Sequence, residues 1–245
     1  MKSQILRTAL ALPTALLLAS VASAQTETEN DRWKFVVAPY LMGASLDGTT
    51  TVLGQEADVD VSASDIFDNM DYGFMAMVVA RKKDWGVVGD MVVVDLSVDV
   101  AMPPGEFQPT LGIFSVAGVR RLNDAADLTF GLRWNHVKAV LDFPAVGLQL
   151  ENTRDWVDPV VGVVLRTPAE RRWHATLIAD VGGFGVGSDF TWQVFPSGGV
   201  KLTNWASLEF GWRFLATDYA TGEGADRFEY DMLYQGPVVG VAFRF

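Results

Sequence analysis

Apolar and polar residues alternate with a period of two through most of the chain beyond residue 32. The clearest case is Ala206-Ser207-Leu208-Glu209-Phe210-Gly211-Trp212-Arg213-Phe214, whose even positions are all apolar. Successive side chains of a strand point to opposite faces, so the pattern predicts an extended strand with one greasy face and one polar face. Residues 127–135 repeat it, with Leu128, Phe130, Leu132 and Trp134 set against Asp127, Thr129, Arg133 and Asn135. Ten segments read this way: 33–46, 72–82, 85–102, 107–121, 127–143, 154–166, 173–184, 188–201, 205–219 and 228–245. Each runs for about 11 to 18 residues, enough for a tilted strand to cross a bilayer and extend past it. In the last one Val239, Val241, Phe243 and Phe245 share a face, and Val238, Gly240, Ala242 and Arg244 share the other.

A water-soluble sandwich also alternates, so periodicity alone leaves two fold classes open. Residues 1–24 separate them. Lys2 and Arg7, the apolar stretch 10–18 and Ala22-Ser23-Ala24 before Gln25 form a secretory leader with a small-residue cleavage pattern. Pro13 interrupts that stretch, and no later apolar run is long enough for a membrane helix. The expectation is an all-β fold: a closed antiparallel transmembrane β-barrel spanning 25–245, in the bacterial outer membrane, of about ten strands.

Connections support that topology. Lys83-Asp84, Asn123-Asp124-Ala125, Pro168-Ala169-Glu170 and Thr203-Asn204 are tight polar turns, and they alternate with longer links at 103–106, 144–152, 182–187 and 220–227. Outer-membrane barrels place short turns in the periplasm and long loops outside. The awkward stretch is 47–71, which holds seven acids and no Lys or Arg. It contains short strand patterns at 50–53 and 57–61 and a helical turn at 64–70 capped by Ser64. Read as an outer loop with its own hairpin it leaves ten wall strands; twelve and eight are the alternative counts.

Composition narrows function mainly by exclusion. The net charge of −11 becomes −13 once Lys2 and Arg7 leave with the leader, so no basic footprint for nucleic acid exists. The absence of cysteine removes disulfides and thiolate metal sites. With the large apolar residues turned outward, parity places a charge network in the lumen: Arg81, Asp90, Arg120, Asp127, Arg133, Asp158, Arg166, Asp180, Asp189, Glu209, Arg213 and Arg244, joined by Arg172 and Lys201. A barrel of this size has little spare interior, so these ions must be paired. The same parity turns Met75 and Met77 inward, and Asp95 falls out of step with Asp90, which points to a bulge or a rim position. Trp33, Trp85, Trp156, Trp173 and Trp205 stand at strand starts, as interfacial girdles require.

Candidate chemistry is thin. His136 and His174 are the only histidines, parity puts them on opposite faces of the wall, and neither has a serine at a useful spacing. The expectation is no enzymatic activity and no catalytic residue. Asp58-x-Asp60-x-Ser62-x-Ser64 spaces oxygen ligands like a calcium loop but lacks its Gly and closing Glu, so no metal or other cofactor is expected. Asp180-Val181-Gly182-Gly183-Phe184-Gly185-Val186-Gly187-Ser188-Asp189 has the glycines of a phosphate loop without the Lys-Ser/Thr or the helix. Between strands, such glycines serve a tight hairpin, a bulge or the close approach of another segment.

In Ala38-Pro39-Tyr40-Leu41, Asp158-Pro159-Val160-Val161-Gly162, the 180–189 run with Thr191-Trp192-Gln193, and Gly236-Pro237-Val238-Val239-Gly240 through Phe245, the chain resembles a widespread group of proteobacterial outer-membrane β-barrel proteins. The resemblance implies a fold and a location, and no activity. Val241, Phe243 and Phe245 also resemble the terminal signal read by the barrel-assembly machinery. Expected partners are that machinery during biogenesis, then outer-membrane lipid and lipopolysaccharide around a monomer. The expected role is structural, in the envelope or in surface interaction, with a narrow pore for ions or small polar solutes as the alternative and a lipid-modifying or proteolytic barrel enzyme behind both. Deleting Phe245 is expected to impair assembly far more than it changes the stability of barrel already inserted. Outer-membrane levels of the truncated protein, measured against wild type in fractionated cells, check this.

Overall fold

The computed structural model describes residues 32–52, 55–100, 105–144, 147–167 and 172–245; the leader reading and the segment 25–31 lie outside them. The elements are β1 (Lys34–Met42), β2 (Ser45–Val52), β3 (Gln55–Val61), α1 (Ala63–Asp68), β4 (Met70–Lys82), β5 (Trp85–Leu96), β6 (Val98–Val100), β7 (Gly105–Asn123), β8 (Ala126–Phe143), β9 (Leu148–Arg166), β10 (Trp173–Gly183), β11 (Phe190–Lys201), β12 (Ala206–Thr221) and β13 (Phe228–Arg244). Ten of them, β1, β4, β5 and β7 to β13, pair antiparallel in a ring that β1 and β13 close, from Val36 opposite Arg244 to Met42 opposite Val238. Among the described residues no helix is long and apolar enough to cross a membrane.

Alternation decides which face is which. Phe130, Leu132 and Trp134 on β8, Val157, Val161, Val163 and Leu165 on β9, and Phe210 and Trp212 on β12 are exposed on the outside of the ring. Asp127, Arg133 and Asp158, their neighbours of opposite parity, are at most 1% exposed inside it. The greasy band on β9 runs for about nine residues, the span of a tilted strand across hydrocarbon. Trp33, Trp85, Trp173 and Trp205 stand exposed where strands begin, all at the end of the ring where β1 starts and β13 stops (the terminal end).

The stretch 47–71 takes a form that the sequence only half shows. β2 continues β1 along the outer part of β13, from Ser45 opposite Gln235 to Thr51 opposite Glu229, and β3 folds back on β2. The hairpin thus stands on the ring and adds no wall strand. Ser62, not Ser64, caps α1: its hydroxyl accepts from the Asp65 backbone N–H while the Asp65 carboxylate accepts from the Ser62 N–H. Ile66 of α1 is buried with the inward residues Met42 and Met75. Asp95 keeps step with its strand and accepts from Thr110 at 2.6 Å; the register shift lies opposite, in β4 between Met70 and Tyr72.

Beyond the apolar band the outer face turns acidic, and pairing register puts like charges together. Asp218 on β12 lies directly opposite Asp231 on β13. Partial burial raises the Asp218 pKa, and Asp231, Asp189 and Glu229 push it the same way. A carboxyl whose folded pKa exceeds its unfolded value costs stability above the folded pKa, and acidification through the window between the two values recovers it. Asp218→Asn is therefore expected to stabilise the folded barrel at neutral pH by about 0.5 kcal/mol, the scale of an opposed like-charge pair. The gain should vanish below the unfolded carboxyl pKa; urea midpoints of wild type and variant at neutral and acid pH check it.

Candidate functional site

The lumen gathers polar side chains into hydrogen-bonded sets, and it is built in layers. Nearest the terminal end, Asp127 at the start of β8 accepts from Arg81 of β4 and Arg166 of β9, each through both of its carboxylate oxygens. Two forks converge on one fully buried carboxylate, a geometry that suits guanidinium and not ammonium. On the other side of the mouth His174 Nε2 lies 3.0 Å from both oxygens of Glu209, and Arg244 donates to Ser207 at 2.7 Å. Gly199 makes this pairing possible: a Cβ there would fall 2.2 Å from a Glu209 oxygen and 2.4 Å from His174 Nε2.

The middle layer is a connected chain of ions and amides. Arg213 donates to Asp90 at 2.6 Å, to the Tyr40 hydroxyl at 2.8 Å and to Gln193 Oε1 at 2.9 Å, and Tyr40 donates to the same Asp90 at 2.8 Å. Gln193 donates to Asp180 at 3.1 Å, and Asp180 accepts from Arg133 at 2.7 Å. Arg133 also donates to Thr191 at 3.1 Å. Asp158 completes the layer, accepting from Asn135 at 2.9 Å and from the backbone N–H and hydroxyl of Ser188 at 2.6 and 2.9 Å.

Towards the far (distal) end the filling changes from polar to apolar. Met42, Met75, Val92, Val94, Ile113, Leu215, Met232, Tyr234 and Val238 form one buried cluster with Ile66. Trp156 roofs it, stacked on Tyr219 with ring centroids 4.2 Å apart and edge-on to Tyr230 at 5.7 Å, its Nε1 donating to Ser188 at 2.8 Å. Trp156 is thus a lumen residue, 6% exposed, and not part of a girdle.

Of the residues that parity sends to the lumen, Arg81, Asp90, Asp127, Arg133, Arg166, Asp180, Glu209, Arg213 and Arg244 stand there in ion pairs with one another, Asp158 stands there bonded to Asn135 and Ser188, and Lys201 shares the inner face opposite Ser207. Three do not. Arg120 lies on the outer face, opposite Leu128, with its guanidinium 4.8 Å over the Trp85 ring and 3.5 Å from Asp84. Asp189 is exposed in the β10–β11 connection, which ends before parity would turn it inward, and Arg172 is exposed ahead of β10. Sequence reasoning missed Tyr40, Gln193, Thr191 and Ser188, which carry no formal charge; inward parity was the available signal for the first three, and Ser188, in the connection before β11, had none.

The glycine run serves close approach. Gly183 and Gly185 take φ of +84° and +72° to turn the β10–β11 hairpin. At Gly187 a Cβ would lie 2.4 Å from the Val157 carbonyl oxygen, so only glycine lets Ser188 reach Asp158. His136 stays on the outer face, 2.8 Å from Asp155, which also accepts from Trp134 Nε1 at 3.1 Å. Among the described residues no group of three or more His, Asp or Glu can hold a metal ion.

Arg213→Ala leaves Asp90 buried without its cation and is expected to destabilise the barrel by about 3–5 kcal/mol. Asp90→Asn combined with Arg213→Gln is expected to cost less than the sum of the two single changes, because neither partner is then an isolated ion. Unfolding midpoints of the four proteins in one detergent, followed by the shift of the heat-modified band, check both statements.

No family model matches the chain and no curated protein matches it. Among solved structures it is similar to Ail, the attachment invasion locus protein of Yersinia pestis, in complex with the heparin analogue sucrose octasulfate: 12% identity over 87% of this chain and 98% of that one, TM-score 0.44. It is also similar to Neisserial surface protein A, at 12% identity over 86% and 97% with a TM-score of 0.35. The translocator domain of the autotransporter NalP from Neisseria meningitidis gives 13%, 89% and 90%, with a TM-score of 0.37. These neighbours are bacterial outer-membrane β-barrels.

Proposed function

We propose that this chain is a monomeric, non-conducting barrel of the bacterial outer membrane, exported by a leader at 1–24, with a structural or surface-interaction role in the envelope. The observation that carries the reading is the doubly filled lumen. An ion entering from the terminal end meets the Asp90–Arg213–Gln193–Asp180–Arg133 layer and beyond it the apolar cluster under Trp156, and one entering from the distal end meets the two in reverse. The polar layer is closed by hydrogen bonds between side chains, and the apolar one gives a hydrated ion no ligands. An exposed apolar band with tryptophans at one edge supports placement in a bilayer, with outer-membrane lipid and lipopolysaccharide around it. The strands and hairpins that rise past that band at the distal end carry Asp47, Asp60, Asp218 and Asp231, and these are the surfaces left for an external contact.

Refolded protein in planar bilayers is expected to give no resolved conductance steps in molar salt. Sustained single-channel events from wild type would replace this reading with that of a narrow pore.

A further inference from the structure

The terminal-end mouth gathers cationic side chains around a cavity. A cavity of about 330 Å³ opens there, lined by Arg32, Lys34, Arg81, Lys83, Asp84 and Arg121. Five of these six residues are cationic, and the one carboxylate, Asp84, is also 3.5 Å from Arg120 on the outer face. Lys34 lies opposite Arg81 across the β1–β4 pair, and Arg121 lies opposite Asp127 across β7–β8, so strand register itself gathers them on the inner face. Arg81 shares Asp127 with Arg166, two cations for one carboxylate. Arg121 reaches the edge of ion-pair range with the fully exposed Asp124, at 4.0 Å, while its Nε is buried with no hydrogen-bond partner among the described residues. The guanidinium therefore meets the cavity, 36% exposed as a side chain, with no acid closer than 4.0 Å among the described residues.

We propose that this mouth is an anion site that takes a phosphate group. Phosphate offers several acceptor oxygens to converging donors and is the oxyanion that guanidinium forks and ammonium groups bind together. The site is a blind vestibule: Asp127 with its two arginines forms the floor, and the sealed lumen lies above. It therefore holds a ligand and does not pass one. Two sources present the same chemistry, a free phosphate in the surrounding solution and the phosphate-monoester headgroup of a lipid in the adjoining leaflet, which the exposed Trp33 and Trp85 place at the same level. The blind floor rests on the sealed lumen proposed above, while anion binding at the mouth is read separately from conductance.

The test uses the full refolded chain in two arms. In detergent, inorganic phosphate is titrated at fixed ionic strength against chloride, with binding read from phosphorus NMR line width. In nanodiscs of phosphatidylcholine, phosphatidic acid is titrated with the same readout on its headgroup. Saturable binding in the first arm identifies free phosphate as the ligand; saturation in the second alone identifies the lipid headgroup. In either case Lys34→Gln with Arg121→Gln is expected to weaken binding at least tenfold. Lys34→Gln alone should weaken it by a smaller factor, and both proteins should keep the heat-modifiable mobility of wild type. No saturation in either arm, or affinities within twofold across wild type and variants, overturns the proposal.

Discussion

Arg213 is almost wholly withdrawn from water, its side chain 3% exposed, and its guanidinium meets the carboxylate of Asp90, the hydroxyl of Tyr40 and the amide oxygen of Gln193. The rest of the wall depends on contacts of this kind. A strand in a closed ring has only two faces, and hydrocarbon takes one of them, so every charged side chain in the spanning region must point inward. Ions that face one another in so narrow a space are stable only when each donor and acceptor is matched, since an unpaired buried charge costs several kcal/mol. The chain from Asp90 through Arg213, Gln193 and Asp180 to Arg133 meets that demand across non-adjacent strands. Its contacts fix the middle of the lumen as one unit and not as a set of separate pairs.

The polarity of the two faces inverts along single strands, and this explains why the filling changes from ionic to apolar. On β12, Leu208, Phe210 and Trp212 face out while Glu209 and Arg213 face in; further along, Asp218 faces out and Leu215 is buried. On β13, Val239 faces out and Arg244 in, yet nearer its start Asp231 is exposed while Tyr230, Met232 and Tyr234 are buried. Burying an apolar side chain inside a ring gains free energy only where water would otherwise touch it. Where lipid covers the outside, greasy residues gain nothing by turning inward. Where water covers it, the ordinary globular arrangement returns. The inversion therefore marks the bilayer surface on the distal side, between Trp212 and Asp218.

That inversion also separates what could be read from the sequence from what could not. Strand bounds in the band, such as 85 at the start of β5 and 166 at the end of β9, follow from alternation with greasy residues out. The same rule misplaces Trp156, because on the watery stretch of β9 a large aromatic belongs inside. Arg120 fails for a different reason: on β7 the even positions, such as Val116, face out and the odd ones, Ile113 and Val119, face in, so the inward residue of that pair is Arg121, opposite Asp127. β9 begins six residues before 154, with polar side chains such as Glu151 and Asn152, since above the membrane its outer face no longer needs grease. The helix cap at Ser62 was in view as part of a ligand-like spacing, and its partner Asp65 distinguishes a capping box from a metal loop.

A wall of uneven height needs a lateral seal, and the glycine run supplies it. The β10–β11 hairpin turns back at Gly183, whereas β9 pairs with β8 as far as Leu148 and β12 with β13 as far as Thr221. Above Val160 the edge of β9 thus loses its β10 partner, and unsatisfied backbone beside the core would admit water. The loop closes this gap instead. Gly187 lies against the Val157 carbonyl, Ser188 donates to Asp158 and receives Trp156, and Trp156 leans across to Tyr219 of β12. One short segment without a formal charge inside the ring joins the ionic layer to the apolar roof. A side chain at Gly187 would separate the two, so the glycines that first suggest a phosphate cradle serve to keep the barrel shut.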